Sequence, residues 1–149
     1  MEKLKQLINL CIISKIDISK DYDQNEKSVC VLRIPDSLTD SLYKRINAYS
    51  DHCEYEFYLE NRQLKYSTWY EDHHSGSSYD YQSIFIDLTN EELNEIVKHL
   101  SDYFETKLKI KLQEIILQEL VEARYKQLQE NIKTAIEING QIITNVKYR

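Results

Sequence analysis

From Leu88 to Asn139 the chain contains neither glycine nor proline, and apolar side chains return every three or four residues. Leu93, Ile96, Val97, Leu100, Phe104, Leu108, Leu112, Ile115, Ile116, Leu120, Val121, Leu128, Ile132 and Ile136 follow this spacing, which is the period of an α-helix. Thr89-Asn90-Glu91-Glu92 opens the stretch as a capping box. In such a box the threonine hydroxyl accepts from the amide three residues on, and the glutamate there reaches back. Leu88 and Leu93 occupy the places of a hydrophobic staple. The run Leu108-Lys109-Ile110-Lys111-Leu112 alternates like a strand, but helix formers flank it on both sides and helix is expected. Asn139-Gly140 has two readings. It ends the helix with a left-handed residue, or it is the turn of a hairpin joining residues 134–138 to 141–147.

A helix from residue 90 to 138 would be about 73 Å long at the standard rise. A compact domain of this chain's length is only about 40 Å across, so the helix is expected to break or project. Its middle is the greasiest part: Ile115, Ile116 and Leu117 are consecutive, and Leu120 and Val121 follow. Consecutive helical residues point about 100° apart, so this stretch is apolar around more than half its circumference. Leaving four such side chains wet would forfeit roughly 6–12 kcal/mol, comparable with the stability of a whole domain. The N-terminal helix, a helix at 37–49 or a second copy of the chain would have to cover them. Self-association through Leu108, Leu112, Ile115, Ile116, Leu120 and Val121 is the expectation, most simply as a two-fold homodimer. The stripe runs nearer 3.6 than 3.5 residues per turn, which favours helix packing over a long regular supercoil.

The residues before this helix read as a mixed body. Leu4, Leu7, Ile8 and Cys11 place an amphipathic helix over 2–13, with a drift towards strand at Ile16 and Ile18. Residues 19–27 are polar and read as loop. Residues 28–34 are a continuous apolar run of strand length stopped by Pro35. Ser37 then looks like an N-cap for a helix whose stripe is Leu38, Leu42, Tyr43, Ile46 and Tyr49. Residues 53–60 and 63–70 both alternate, and a two-residue Asn61-Arg62 turn would pair Leu59 with Leu64, Phe57 with Tyr66 and Tyr55 with Thr68. Residues 71–78 read as loop and 79–88 as a further strand. The expected fold class is therefore α+β: a small antiparallel sheet flanked by helices, with a long C-terminal helical segment. The chain reads as a single domain over 1–149, made of an α+β body (1–88), a long helix or helix pair (89–138) and a C-terminal turn and tail or strand (139–149).

Composition excludes several functions. The two glycines, Gly76 and Gly140, cannot build a phosphate-cradling loop. A net charge of -6 argues against general nucleic-acid binding. No apolar run reaches the length of a membrane span. The residues after Leu7–Ile13 lack a signal-peptide cleavage pattern. Cys11, Cys30 and Cys53 are odd in number and form no C-x-x-C pair, so reduced thiols in a cytoplasmic protein are expected. Abundant Ile, Lys, Tyr and Asn point to AT-rich coding, as in low-GC bacteria, phages or large viruses.

The candidate chemistry is sparse. His73-His74 after Glu71-Asp72 lacks the spacing of a zinc centre and reads as a solvated loop. His52 and His99 stand alone, and His52 points away from its strand neighbour Cys53. Glu54 and Glu56 share a strand face about 7 Å apart, with Lys65 and Trp69 on the facing strand, within reach of acid–base or metal work. Their other reading is a solvated face. Twelve tyrosines are the most unusual feature. Tyr55, Tyr58, Tyr66, Tyr70, Tyr79 and Tyr81 cluster with Trp69 in the three-strand region, as core residues, as an adhesive surface or as a stacking platform.

The leading expectation is a non-enzymatic, acidic protein-interaction module without cofactor, catalytic or metal residues. It self-associates and binds or inhibits a protein partner with a basic surface, in the manner of an immunity, anti-defence or chaperone-like protein. Glu54, Glu56, Tyr58, Lys65, Trp69, Tyr79 and Tyr81 are its expected contact residues. The alternative is an oligomeric small-ligand or nucleotide binder with an aromatic pocket at a subunit interface near Trp69, Tyr79 and Tyr81. A third is a metal-dependent hydrolase using Glu54 and Glu56 with His73 or His74.

Overall fold

The computed structural model describes residues 1–31, 33–46, 52–71 and 79–147; for residues 36, 43, 46, 52, 69–71, 79–82 and 142–147 only the backbone is described. The elements among them run α1 (Glu2–Ile13), β1 (Tyr22–Asp23), β2 (Ser28–Val31), α2 (Asp36–Ile46), β3 (His52–Tyr58), β4 (Gln63–Glu71), β5 (Tyr79–Ile86) and α3 (Asn90–Lys147). The strands form one antiparallel sheet in sequential order, β1-β2-β3-β4-β5. The fold is α+β with a long C-terminal helix, as alternation and helical periodicity predict. None of the helices is long and apolar enough to cross a membrane, among the described residues.

The chain divides into two compact units, Met1–Leu108 and Lys109–Arg149. The first holds the hydrophobic core. Helix α1 buries Leu4, Leu7, Ile8 and Cys11, the four residues that helical spacing selects. The sheet contributes Val29, Val31, Tyr55, Phe57, Leu64, Tyr66 and Ile86, and α2 contributes Leu38 and Leu42. The first turns of α3 complete the core with Leu93, Ile96, Leu100 and Phe104. The capping box forms as predicted: Glu92 N–H donates to Thr89 Oγ1 at 3.2 Å, and Thr89 N–H donates to Glu92 Oε2 at 3.0 Å.

The β3–β4 hairpin differs from its predicted form in register. Phe57 faces Leu64, Tyr55 faces Tyr66 and Cys53 faces Thr68, a slip of two residues that leaves 59–62 as a four-residue loop. A two-residue type I′ turn needs left-handed backbone at both central positions, which Asn-Gly supplies readily. Here Arg62 has φ 55°, and Asn61 does not have positive φ. Leu59 is engaged elsewhere: its amide donates to the Lys27 carbonyl at 3.2 Å and its side chain is buried. An even slip keeps every side chain on its face, so the predicted core set survives.

Four other expectations are corrected. No strand forms at Ile16 and Ile18; the chain turns after α1, with Lys15 at φ 54°, and Ile18 enters the core from a loop. Strand β2 ends at Val31, before the predicted residue 34, and Ile34 is buried outside the ladder. Helix α2 begins at Asp36, so Ser37 lies inside it, and its hydroxyl donates to Glu95 of α3 instead of capping. Helix α3 continues through Gly140 to Lys147, so neither the helix end nor the hairpin forms there. One glycine costs a helix only about 1 kcal/mol relative to alanine, too little to interrupt regular hydrogen bonding on both sides. The predicted end of α2 at 47–49 and the loop at 72–78 lie outside the described residues.

Candidate functional site

Alternation along the strands sends one set of side chains into the core and the other to the opposite face of the sheet. One cross-strand row on that face is Cys30, Glu56, Lys65 and Phe85. Glu56 is its hub: Oε2 accepts the Tyr58 hydroxyl at 2.9 Å and the Lys65 ammonium at 3.4 Å. Burial pushes the Tyr58 phenol above its ordinary value, and the hydrogen bond to Glu56 adds to the rise. Tyr58 therefore stays a neutral donor at neutral pH. Its ring packs on Phe85 at 5.9 Å between centroids, while Phe85 is 57% exposed. Three of the predicted contact residues, Glu56, Tyr58 and Lys65, thus meet around an exposed aromatic.

The other predicted contact residues are spread along the same sheet. Glu54 lies opposite Ser67, whose hydroxyl sits 3.3 Å from that of Ser83. Because of the slip, Trp69 stands opposite His52 rather than Glu54, with Tyr81 on its other side. Tyr79 stands opposite Glu71. The side chains of Trp69, Tyr79 and Tyr81 lie outside the described residues. The tyrosines divide by face: Tyr55 and Tyr66 pack in the core with centroids 5.1 Å apart, and Tyr58 is on the other face. Among the described residues no three His, Cys, Asp or Glu side chains group to hold a metal ion. His73 and His74 lie outside those residues.

The second unit is the continuation of α3. Of the residues assigned to self-association, Leu108 is half-buried and packs against the core of the first unit. Leu112, Ile115, Ile116, Leu120 and Val121 are 43–63% exposed. A straighter line passes through Val121 and joins Leu128 and Ile132, which follow the three-and-four spacing, to Ile110 and Leu117, which that spacing leaves out. Ile110, Val121 and Ile132 recur every 11 residues, as do Leu117 and Leu128, and all five are exposed. Eleven residues are about three helical turns, so these five side chains fall within about 60° of the helix circumference. The signal was present in the sequence as an 11-residue repeat.

A third feature was not legible in the sequence. In the first unit a cleft of about 320 Å³ is lined by residues of β2 and α3 together with Asp21 and Arg33. Asp21 is buried beside it, accepting from the Tyr103 hydroxyl at 3.2 Å and pairing with Lys107. The Lys107 ammonium also lies 4.7 Å from the centre of the Tyr103 ring. Burial alone would lower the Lys107 pKa, but the hydrogen bonds with Asp21 and Tyr103 outweigh it and hold the group above its ordinary value. Cys30 also lines the cleft, and its thiol is pushed up by burial and by the carboxylates of Glu54, Glu56 and Asp21. A protonated thiol is a poor nucleophile. His99, read from sequence as an isolated histidine, lines this cleft.

Compared with known proteins, the chain matches no family model, no curated protein and no solved structure.

Proposed function

We propose that the protein is a non-enzymatic interaction module that self-associates through α3 beyond Leu108 and grips a protein partner with the outer face of its sheet. The observation that carries this reading is the line Ile110, Leu117, Val121, Leu128 and Ile132, each 47–63% exposed on one side of the helix. Contiguous exposed apolar surface on this scale marks an interaction site in a soluble protein. A second copy suits it because the line repeats along its own length, so it is complementary to itself in a two-fold pair. An 11-residue repeat, about 3.67 residues per turn, favours helices packed side by side with a gentle right-handed supercoil. Multi-angle light scattering at micromolar concentration tests this directly. The unaltered chain is expected at twice its 17.9 kDa mass. Leu117→Glu with Leu128→Glu should return the mass to that of one chain without loss of helicity. A strict monomer for the unaltered chain would end the proposal.

The partner surface centres on Tyr58 and Phe85, with Glu54, Glu56 and Lys65 around them and Trp69, Tyr79 and Tyr81 farther along the strands. Aromatic anchors rimmed by charge are the usual composition of interface hot spots. Net acidity suits a partner with a basic surface. Tyr58→Ala with Trp69→Ala should weaken partner binding at least tenfold while leaving the circular dichroism spectrum unchanged. Unaltered affinity in a folded double variant would remove this face from the reading.

A further inference from the structure

The cleft beside β2 follows from a short strand. β1 has two residues and covers β2 only at Ser28 and Val29. One further hydrogen bond, from the Cys30 amide to the Asp21 carbonyl at 2.7 Å, ends that coverage. Among the described residues β1 reaches no further along β2, and α3 supplies His99, Leu100 and Tyr103 to the space beyond. The result is about 320 Å³ with an apolar lining from Val31 and Leu100 and an aromatic one from Tyr103. That volume lies at the small end of ligand clefts.

The charges in the cleft do not cancel. Asp21 is neutralised by Lys107 and hydrogen-bonded by Tyr103, so it presents no spare negative charge. Arg33 also lines the cleft, is exposed, and has no ion-pair partner among the described residues. His99 adds an imidazole to the same lining. A guanidinium offers two parallel N–H donors matched to a planar carboxylate. We propose that this cleft binds a small carboxylate with an apolar body, its carboxylate on Arg33 and His99 and its hydrocarbon against Val31, Leu100 and Tyr103. Phosphate shares the anionic chemistry but offers nothing to the apolar lining.

The test is calorimetric titration of the full chain with 3-phenylpropionate, 3-phenylpropanol and inorganic phosphate, with amide NMR shifts mapping the site. The carboxylate is expected to bind with a Kd below about 1 mM and to shift the amides of Val31, Leu100 and Tyr103. It should bind at least tenfold more tightly than the alcohol or phosphate. Arg33→Gln should weaken it tenfold, while Arg62→Gln in the hairpin loop leaves it unchanged. Absent binding, equal binding of alcohol and carboxylate, tighter phosphate binding, or indifference to Arg33→Gln in a folded variant would each overturn the assignment. The cleft lies within the first unit, so this result stands or falls apart from the oligomeric state.

Discussion

Arg45 Nη1 donates to both carboxylate oxygens of Glu92, at 2.9 and 2.7 Å, joining α2 to the first turn of α3 across 47 residues of sequence. The same carboxylate accepts the Thr89 amide, so one side chain caps a helix and anchors another. Burial by itself would raise the Glu92 pKa, but the Thr89 amide, the Arg45 guanidinium and the Ser41 hydroxyl together hold it below its ordinary value of 4.5. A carboxyl with a depressed folded pKa stabilises fully above its unfolded pKa, and that contribution is lost as pH falls through the folded one. Arg45 is partly exposed, which discounts the pair. Glu92→Gln is expected to cost about 1–2 kcal/mol at pH 7. Urea unfolding at stepped pH should show the gap from the unaltered chain closing below about pH 4.

The two units should respond oppositely to truncation of apolar residues. Phe104 is fully buried, and Phe104→Ala removes a ring from a close-packed core, at an expected cost of about 3–5 kcal/mol. Leu128 is 47% exposed, and Leu128→Ala should change the unfolding free energy of the first unit by less than about 0.5 kcal/mol. Its effect should appear instead as weaker self-association in sedimentation equilibrium.

Gly140 lies within α3, and a Cβ placed on it would meet nothing within 4 Å. Gly140→Ala should therefore stabilise the local helix by about 1 kcal/mol, through lower backbone entropy in the unfolded chain. Amide hydrogen exchange in residues 136–144 should slow about fivefold, since that is what 1 kcal/mol is worth in local opening.

Arg62 closes the β3–β4 loop in left-handed backbone, φ 55°. A non-glycine residue there costs roughly 1 kcal/mol from its Cβ, while glycine adopts the conformation freely. Arg62→Gly should leave stability unchanged or raise it by up to about 1 kcal/mol in thermal unfolding. Arg62→Val, with a branched Cβ, should lower it.

Much of the candidate site could be read from residue order because it depends on alternation. Glu56, Tyr58 and Lys65 share a face under either hairpin register, since a two-residue slip preserves the pleat. Which residues stand opposite one another does not survive a slip. Trp69 moved from Glu54 to His52 because Leu59 found a core site and a backbone partner in Lys27.

What residue order alone determined was local. The 2–13 helix, the capping box at Thr89 and the core-facing half of each central strand follow from interactions within four residues or from a two-residue period. The tertiary structure decided whatever depends on partners distant in the chain. Ser37 bonds Glu95 across 58 residues rather than capping α2, and Asp21 meets Lys107 across 86 to build one side of a cleft. Such pairs leave no periodic trace, because their geometry comes from how helices and sheet pack and each partner alone is an ordinary polar residue.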